Sequence, residues 1–284
     1  MSWEWTLLRA GAFKLDGGAM FGMIPRPVWL KTVTPDERNR VTLQTNCLLL
    51  RGHGKTVVIE AGIGDKMSDK LRDIYDAEPR SIEDALREKS IDPSDVDSVI
   101  ISHLHFDHAG GLTRLPRKGE DPGAHNAVVT FPNAEIIVQK TEWEDALDNK
   151  STMHSTYLPE HLEPIADQIR CVGDGDEILP SMRVRSVPGH TWGQQAVLFE
   201  DTSGRTVVFT SDLLPTRWHA STTWGMAYDV ESYTSMVQKK AFLHDAHEHD
   251  WTLVLPHDPQ HPITRAAPNE KRPGEHLLVP ADAP

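Results

Sequence analysis

Four side chains of the kinds that bind metal ions lie within six residues of one another, at His103, His105, Asp107 and His108. In an extended segment, residues two apart point to the same side, so His103 and His105 can hold one ion together. Asp107 and His108 continue into the next turn and face a second position. Neutral imidazole and carboxylate suit zinc and similar first-row metals. The spacing therefore predicts a metal site.

A histidine-rich surface loop is the alternative interpretation of this segment. Two features disfavour it. The segment follows an apolar run at 96–102, which predicts a buried strand, and it continues into Gly110 and Gly111. Adjacent glycines are typical of places where the backbone passes very close to another segment. The histidine segment is therefore expected at the end of a buried strand.

One segment cannot complete the coordination of two ions, so further ligands must come from elsewhere. Three candidates directly follow apolar runs and are predicted to lie in loops at strand ends: His190, Asp212 and His257. Each is weak evidence alone, because a single histidine after a strand is more often structural. In this order after the first cluster, they indicate one composite site.

A second histidine cluster lies near the end of the chain. His244 and His247 are three residues apart at the end of a predicted helix, and His249 follows. They could bind a metal ion. We favour a solvated helix end, where cationic side chains lie close to the negative end of the helix dipole.

The composition excludes several classes of protein. Among 284 residues, 42 are acidic and 29 basic, giving a net charge of −13, which disfavours nucleic acid as a partner. No apolar run approaches the roughly 20 residues of a membrane span, and no secretory signal is visible, so we expect a cytoplasmic protein without a membrane partner. The two cysteines, Cys47 and Cys171, are too few for a disulfide framework and are expected to be buried thiols.

Hydrophobic periodicity predicts a domain rich in strands. Strands are expected at 6–15, 41–51, 55–60, 96–102, 127–130 and 135–139, within 170–209, and finally at 251–255. Capping-box patterns at Ser81 and Thr141 predict two helices, and another is expected at about 230–244. Strands from both halves would pack face to face with helices outside. We expect a single domain, 1–284, with residues 1–40 as a lid or pocket segment and 262–284 as an extended tail.

The ligand pattern resembles that of the metallo-β-lactamase fold superfamily. The HxHxDH segment from His103 to His108, followed by His190, Asp212 and His257, matches the family motifs in order and approximate spacing, and the resemblance runs from about residue 41 to 258. It implies an α/β (α+β) fold: an αβ/βα four-layer sandwich of two mixed sheets packed face to face with helices outside.

The same resemblance implies a dinuclear site at the edge of the sheets. One ion would be held by His103, His105 and His190, and the other by Asp107, His108 and His257, with Asp212 and a hydroxide bridging them. Two divalent ions are expected, zinc first, although iron, manganese and cobalt also suit these ligands.

Two further segments are similar to quorum-quenching N-acyl-homoserine lactonases, especially the YtnP type. They are Asp16–Met23 and a later segment made up of Asp212–His219 with Met226–Asp229. An apolar substrate pocket is expected, although each of its side chains could equally serve core packing. The pocket candidates are Met20, Phe21, Met23, Phe106, Trp218, Trp224 and Met226.

Two positions depart from the pattern of these lactonases. Better-known members carry a tyrosine three residues after the bridging aspartate, where this chain has Pro215, so Tyr228 is our candidate for polarising the substrate carbonyl. The family usually has Asp-x-Gly after its second strand, where this chain has Glu60-Ala-Gly62. We expect Glu60 to support the histidine loop in the same way.

The resemblance predicts a metal-dependent hydrolase in which a metal-bridging hydroxide opens a lactone or ester, with Asp107 orienting it and passing on its proton. The substrate would be a small apolar lactone or ester. A phosphotriester or arylester hydrolase of the methyl-parathion hydrolase kind and a non-catalytic binding member are the alternatives. A homodimer is possible on the resemblance, and Trp3, Trp5 and Trp29 would cover either its interface or the domain's own core.

Overall fold

Two β-sheets packed face to face form the centre of the molecule. The structure is a computed structural model that describes residues 2–150 and 156–282. In chain order the strands are β1 Glu4–Asp16, β2 Arg40–Gly52, β3 Lys55–Ile59, β4 Ser98–Ile100, β5 Thr113–Arg114, β6 Val128–Val129, β7 Glu135–Gln139, β8 Ile169–Val172, β9 Glu177–Leu179, β10 Met182–Ser186, β11 Gln195–Glu200, β12 Thr206–Phe209, β13 Thr252–Val254, β14 Ile263–Pro268 and β15 His276–Pro280.

Helices pack on the outer faces of the two large sheets and, in shorter pieces, lie at the sheet edge that carries the histidines. They are α1 Gly17–Phe21, α2 Arg26–Trp29, α3 Asp69–Tyr75, α4 Ile82–Arg87, α5 Phe106–Ala109, α6 Lys140–Leu147, α7 Pro159–Leu162 and α8 Ser232–Glu248. The first sheet has the order β1-β2-β3-β4-β7-β8 and the second the order β15-β14-β13-β12-β11-β10-β9, while β5 and β6 form a small separate pair. Both large sheets contain parallel and antiparallel pairs. The expected pair of mixed sheets is confirmed.

Alternation along the central strands produces the four layers. In β3, Val57 and Ile59 pack between the two sheets, whereas Val58 packs against the outer cluster that contains Leu86 of α4. On the other side, Phe242 of α8 packs on the outer face of the second sheet. A strand covered on both faces must be apolar at nearly every position, and this is the continuous pattern that predicted these strands.

The two capping-box predictions had different outcomes. At α4 the box is present, because the Ser81 N–H donates to Asp84 Oδ2 at 3.0 Å. The prediction that Thr141 begins a box is wrong. Helix α6 starts at Lys140 and is capped by the side chain of Gln139, which accepts from the Glu142 N–H. The carboxylate of Glu142 is turned into the interior and bonds there instead.

The C-terminal tail also differs from expectation. Residues 251–255 do not form the last strand, because β14 pairs antiparallel with β13 and β15 pairs with β14. Leu278 of β15 is buried in the outer cluster beneath α8, which stabilises the hairpin. Pro268 and Pro280 stand at strand ends, where the missing N–H removes no central ladder bond. The tail therefore widens the second sheet.

The N-terminal segment, predicted as a lid or pocket segment over residues 1–40, begins with a long strand of the first sheet. Residues 4–16 form β1, and this strand itself reaches the site: the Phe13 ring lies edge-on to His257 with ring centroids 5.5 Å apart, and Leu15 lines the cavity beside the histidines. Trp3, Trp5 and Trp29 are at most 6% exposed and pack in the domain's own core. Cys47 is a buried thiol as expected. Cys171 is exposed, because it lies on β8 at the edge of the first sheet with its side chain directed outward.

No helix in the described ranges is both long enough and apolar enough to cross a bilayer.

A buried lysine on α8 gives a test of this packing. Lys239 is 2% exposed and donates from Nζ to the Trp224 carbonyl at 2.7 Å, and burial lowers its pKa to about 8. Between that value and the value of about 10.4 in the unfolded chain, only the unfolded state binds the proton, so this group makes stability rise with pH between about 8 and 10.4. We expect Lys239→Met to remove this rise, as followed by thermal unfolding from pH 7.5 to 10.

The exposed neighbour supplies the control. Lys240→Met should leave the pH dependence of unfolding unchanged. An identical pH slope in Lys239→Met and the wild type would contradict the burial of a neutral lysine.

Candidate metal centre

The seven predicted ligands converge at one edge of the two sheets. His103 and His105 follow β4, and Asp107 and His108 lie on α5. The second sheet contributes the other three from loops that follow β10, β12 and β13. Every one of the seven is at most 8% exposed. The second-sheet members are His190, Asp212 and His257.

The ligand atoms form three overlapping groups. These are His103 with His105 and His190, His103 with His108 and Asp212, and Asp107 with His108 and His257, each with its donor atoms within 4.8 Å of one another. The two carboxylate oxygens of Asp212 point to opposite groups: Oδ2 lies 3.3 Å from His190 Nε2, and Oδ1 lies 3.2 Å from His257 Nε2. Asp212 therefore stands between two positions that can each hold an ion.

The donor atoms fit metal ions better than they fit one another. His190 Nε2 and His105 Nδ1 face each other at 2.9 Å, and His257 Nε2 and His108 Nε2 at 3.0 Å, so at most one nitrogen of each pair can carry a proton. Within the described chain, His103 Nε2 and Asp212 Oδ1 are buried without a hydrogen-bond partner. Buried polar atoms are rarely left unpaired, and divalent ions would satisfy these atoms together.

Local electrostatics favour the deprotonated forms that metals need at several of these groups. Burial, followed by the neighbouring imidazoles, holds the pKa of His103 and His105 well below the usual value. Burial opposes ionisation of Asp212, but His257, His108 and His190 outweigh it and lower the pKa of that carboxyl well below the usual range. The pKa of His108 is raised well above the usual value, because Glu60, Asp212 and Asp107 outweigh its burial.

Each of four histidines is oriented by a partner on its other ring nitrogen. His108 Nδ1 lies 2.8 Å from Glu60 Oε2, so Glu60 occupies the supporting place expected from the sequence. Its other oxygen accepts from the Ser102 N–H at 2.8 Å, immediately before the histidine segment. The remaining partners are Ser102 Oγ for His103 Nδ1, Asp229 Oδ1 for His190 Nδ1 and the Gln44 carbonyl for His257 Nδ1.

Asp229 was not recognised as a functional residue from the sequence. Its carboxylate lies 3.0 Å from His190 Nδ1 and also accepts from the Met226 N–H. A carboxylate that holds the second nitrogen of a ligating histidine fixes its tautomer and ring orientation. The residue stands 39 positions after His190, and only its presence beside Tyr228 in the quoted lactonase-like segment could have drawn attention to it.

Hydrogen bonds between the two sheets hold the ligand loops together. Asn46 of β2 donates from Nδ2 to the carbonyls of Leu255 and Asp258, which flank His257. In the other direction, Gln195 of β11 donates to the Ser102 carbonyl through its backbone and to the Ile101 carbonyl through its side chain. Each sheet thus fixes the loop that carries the other sheet's ligands.

The backbone around the ligands is tightly constrained. A Cβ at Gly110 or Gly111 would collide with the carbonyl oxygens of Ile63 and Ala61, so the predicted close passage is present. Glu60 has φ 70° and Ser211, directly before Asp212, has φ 54°. Non-glycine residues in this region are uncommon and concentrate at functional sites.

A small cavity opens onto the ligands. Its volume is about 100 Å³, and its walls include the carboxylates of Asp107 and Asp212 beside apolar and phenolic side chains. Of the predicted pocket residues, Met20, Phe106 and Met226 line it, as does Tyr228. Tyr75 of α3 also lines it and stacks on Phe106, with ring centroids 5.4 Å apart, which the sequence analysis missed.

The other pocket predictions need correction. Phe21, Trp218 and Trp224 lie behind the wall, where both tryptophans pack edge-on against the buried Phe21 ring, so they support Met20 and Met226 without lining the cavity. Met23 is 72% exposed, because the backbone turns outward at Gly22, which has φ 54°. It forms no part of the cavity wall.

Pro215 has a structural role in place of the lactonase tyrosine. It is buried, and its carbonyl accepts from the His257 N–H at 2.9 Å. The second histidine cluster does not form a ligand group of comparable closeness: in the described part of the chain, all three such groups belong to the seven converging residues.

Comparison with known proteins agrees with this geometry. Residues 40–257 match the family model described as the metallo-beta-lactamase superfamily. The chain belongs to this superfamily. The matched range begins at β2 and ends at His257, the last of the seven predicted ligands.

Individual relatives of this superfamily member are known. An N-acyl homoserine lactonase of Bacillus thuringiensis is 33% identical over 154 residues, which cover 54% of this chain and 49% of the relative. The match thus spans about half the length of that curated relative.

Solved structures match over nearly the whole length. A protein from Staphylococcus aureus described as a probable metal-dependent hydrolase superposes with a TM-score of 0.86 at 26% identity, covering 99% of both chains. AidC, described as a dizinc quorum-quenching lactonase in complex with a product, superposes with a TM-score of 0.76 at 17% identity, covering 99% of this chain and 95% of that one. The second likeness shows the shared fold alone.

A substitution at Glu60 tests whether this carboxylate supports metal binding by the predicted ligand histidines. Glu60→Ala removes the partner of His108 and the acceptor of the Ser102 N–H. Loss of such a partner typically weakens metal binding by about 10–100-fold. Competition with a chromogenic chelator for Zn²⁺ measures this loss.

Glu37→Ala, at an exposed position away from the ligands, is the control and should bind metal like the wild type. Unchanged affinity in a folded Glu60→Ala protein would show that Glu60 does not support the site.

Proposed function

We propose that this protein is a metallohydrolase that uses two divalent ions, zinc in the first place, to open lactones of the N-acyl-homoserine type, with simple esters as further substrates. The observation that carries the proposal is the convergence of seven buried side chains of metal-binding type, five of which line a cavity whose other walls, apart from Thr156, are apolar or phenolic. The fit of unpaired His103 Nε2 and Asp212 Oδ1 to such ions supports it.

His103, His105 and His190 would hold one ion, Asp107, His108 and His257 the other, and Asp212 would contact both. Two such ions supply a Lewis acid for a carbonyl oxygen and a hydroxide nucleophile at neutral pH.

Asp107 is the carboxylate best placed to handle protons. It lines the cavity, and its Oδ2 lies 3.5 Å from His257 Nε2. A carboxylate at this position can accept a proton from the attacking nucleophile and deliver it to the alkoxide that leaves when the ring opens. Asp107 therefore serves as both ligand and proton carrier in our proposal.

Tyr228 is proposed to bind the carbonyl oxygen of the substrate. Its side chain lines the same cavity as Asp107 and Asp212, and burial is the main cause that raises the pKa of its hydroxyl above the usual value. The phenol therefore remains protonated and can donate a hydrogen bond as negative charge develops on the oxygen. It takes the place that Pro215 cannot fill.

The substrate class follows from the walls. A second cavity of about 280 Å³ shares Tyr75 and Phe106 with the first, and Ile63, Met67 and Leu71 make it largely apolar. A lactone ring in the first cavity would have room for an acyl chain in the second. The name of the B. thuringiensis relative supports lactones as the class to test first.

The deciding experiment is hydrolysis of hexanoyl- and decanoyl-homoserine lactone by the zinc-loaded protein, followed in a pH-stat. We expect ring opening of both, and its loss in His105→Ala down to the rate of the metal-free protein, because one ion then lacks a ligand. Activity should also disappear on chelation and return with Zn²⁺. Hydrolysis of a phosphotriester such as paraoxon but of neither lactone would overturn the proposed substrate class.

The role of Tyr228 predicts a specific kinetic change. Tyr228→Phe keeps the ring in the wall but removes the donor to the oxyanion, and loss of one such donor typically costs about 10²–10³-fold in kcat. Metal content should be unchanged. Tyr233→Phe, at an exposed position on α8, is the matched control. A variant with wild-type kcat would assign the carbonyl contact to another group.

A further inference from the structure

One buried carboxylate beside the ligands has no role in the proposed chemistry. Glu142 lies in the first turn of α6, is fully buried, and belongs to none of the three ligand groups. A buried carboxylate is costly unless several donors satisfy it. The identity of those donors indicates what Glu142 does.

Three donors from three separate segments meet at this carboxylate. Oε1 accepts from the Leu104 N–H at 2.9 Å and from the Tyr157 hydroxyl at 3.1 Å. Oε2 accepts from the Thr191 hydroxyl at 2.6 Å. Hydrogen bonds to an ionised acceptor are roughly twice as strong as those between neutral groups.

The positions of two donors connect Glu142 to one ligand group in particular. Leu104 lies between His103 and His105, and Thr191 directly follows His190. These three histidines form one of the groups, and His105 and His190, which are 85 residues apart in sequence, have their nitrogens 2.9 Å apart. A single carboxylate therefore bonds to both segments that must meet to form this group.

Packing reinforces the same connection. A Cβ at Gly193 would collide with the backbone of Glu142, so the loop that carries His190 lies directly against the start of α6. The third donor, Tyr157, has its ring centroid 5.7 Å from that of His105. In contrast, the group of Asp107, His108 and His257 is held by Glu60 and the Gln44 carbonyl.

We propose that Glu142 is a positioning residue that sets the spacing of the His103–His105–His190 group and thereby the affinity of that one ion site. This inference rests on the proposed two-ion function. Without the carboxylate, the Leu104 N–H and the Thr191 hydroxyl lose their common acceptor, and the two segments are free to separate. The other ion site keeps all of its supports.

The test compares metal binding in Glu142→Ala, Glu142→Gln and the wild type. Stepwise Zn²⁺ affinities are measured by chelator competition, and Co²⁺ spectra report the ligand environment. We expect the wild type to bind two ions, and Glu142→Ala to bind one normally and the other about 10–100-fold more weakly. Glu142→Gln should recover much of the loss, because its amide can still accept from Leu104 and Tyr157 and can donate to Thr191 Oγ1.

Two further variants keep the test decisive. Thr191→Val removes one hydrogen bond to Glu142 with little change of side-chain shape. It therefore tests the positioning role even if Glu142→Ala fails to fold, and it should weaken binding of the same ion. Glu144→Gln is the control, because Glu144 lies on the same helix, is exposed and pairs with Lys140. Its two affinities should equal those of the wild type.

The outcomes separate the inference from the proposed function. Equal weakening of both ions in Glu142→Ala, or no weakening in any folded variant at Glu142 or Thr191, would overturn the positioning role. A wild type that binds a single ion would contradict the two-ion proposal, and loss of that ion in Thr191→Val would still support the role of Glu142.

Discussion

Burial of five imidazole rings and two carboxylates at the junction of two sheets is the constraint on which the site depends. Groups of this kind are costly in the interior unless each polar atom has a partner. The outer ring nitrogens of His103, His108, His190 and His257 have protein partners, whereas the inner donor atoms converge on one another. The protein thus supplies hydrogen-bond partners for the outer ring nitrogens, while the converging inner donor atoms are arranged to bind positively charged ions.

The face-to-face arrangement of the sheets follows from the same constraint. The first sheet ends in the segment that carries four ligands, and the second contributes the other three, so the two edges must stay in fixed register. The bonds of Asn46 to the loop of His257, and of Gln195 to Ser102, provide that register. The unfavourable φ values of Glu60 and Ser211 persist because these surroundings leave no alternative path for the backbone.

The cavity beside the predicted ligands is walled by residues from several regions of the chain. Met20 follows the first strand, and Met226 and Tyr228 lie in the segment between β12 and α8. That segment also holds Asp229, so the same few residues orient His190 and present the phenol to the cavity. This coupling explains how a chain with Pro215 in the tyrosine position still offers a phenol beside its ligands.

Local sequence was enough to predict the strands at 41–51 and 55–60, the close passage at Gly110 and Gly111, and the metal-binding segment from His103 to His108, because periodicity and ligand spacing are encoded over a few neighbouring residues. His190, Asp212 and His257 were weak evidence singly and were joined to that segment by their order along the chain. Local sequence did not predict the residues that support those side chains. Glu60 was recognised only by resemblance, and Asp229 and Glu142 were missed. Glu142 reaches Leu104 and Thr191 across 38 and 49 residues, and Gln44 reaches His257 across 213. The β14–β15 hairpin and the outward turn of Met23 likewise depend on what each segment packs against. Only the tertiary structure decides such contacts, because no local pattern records which distant donor will face a buried acceptor.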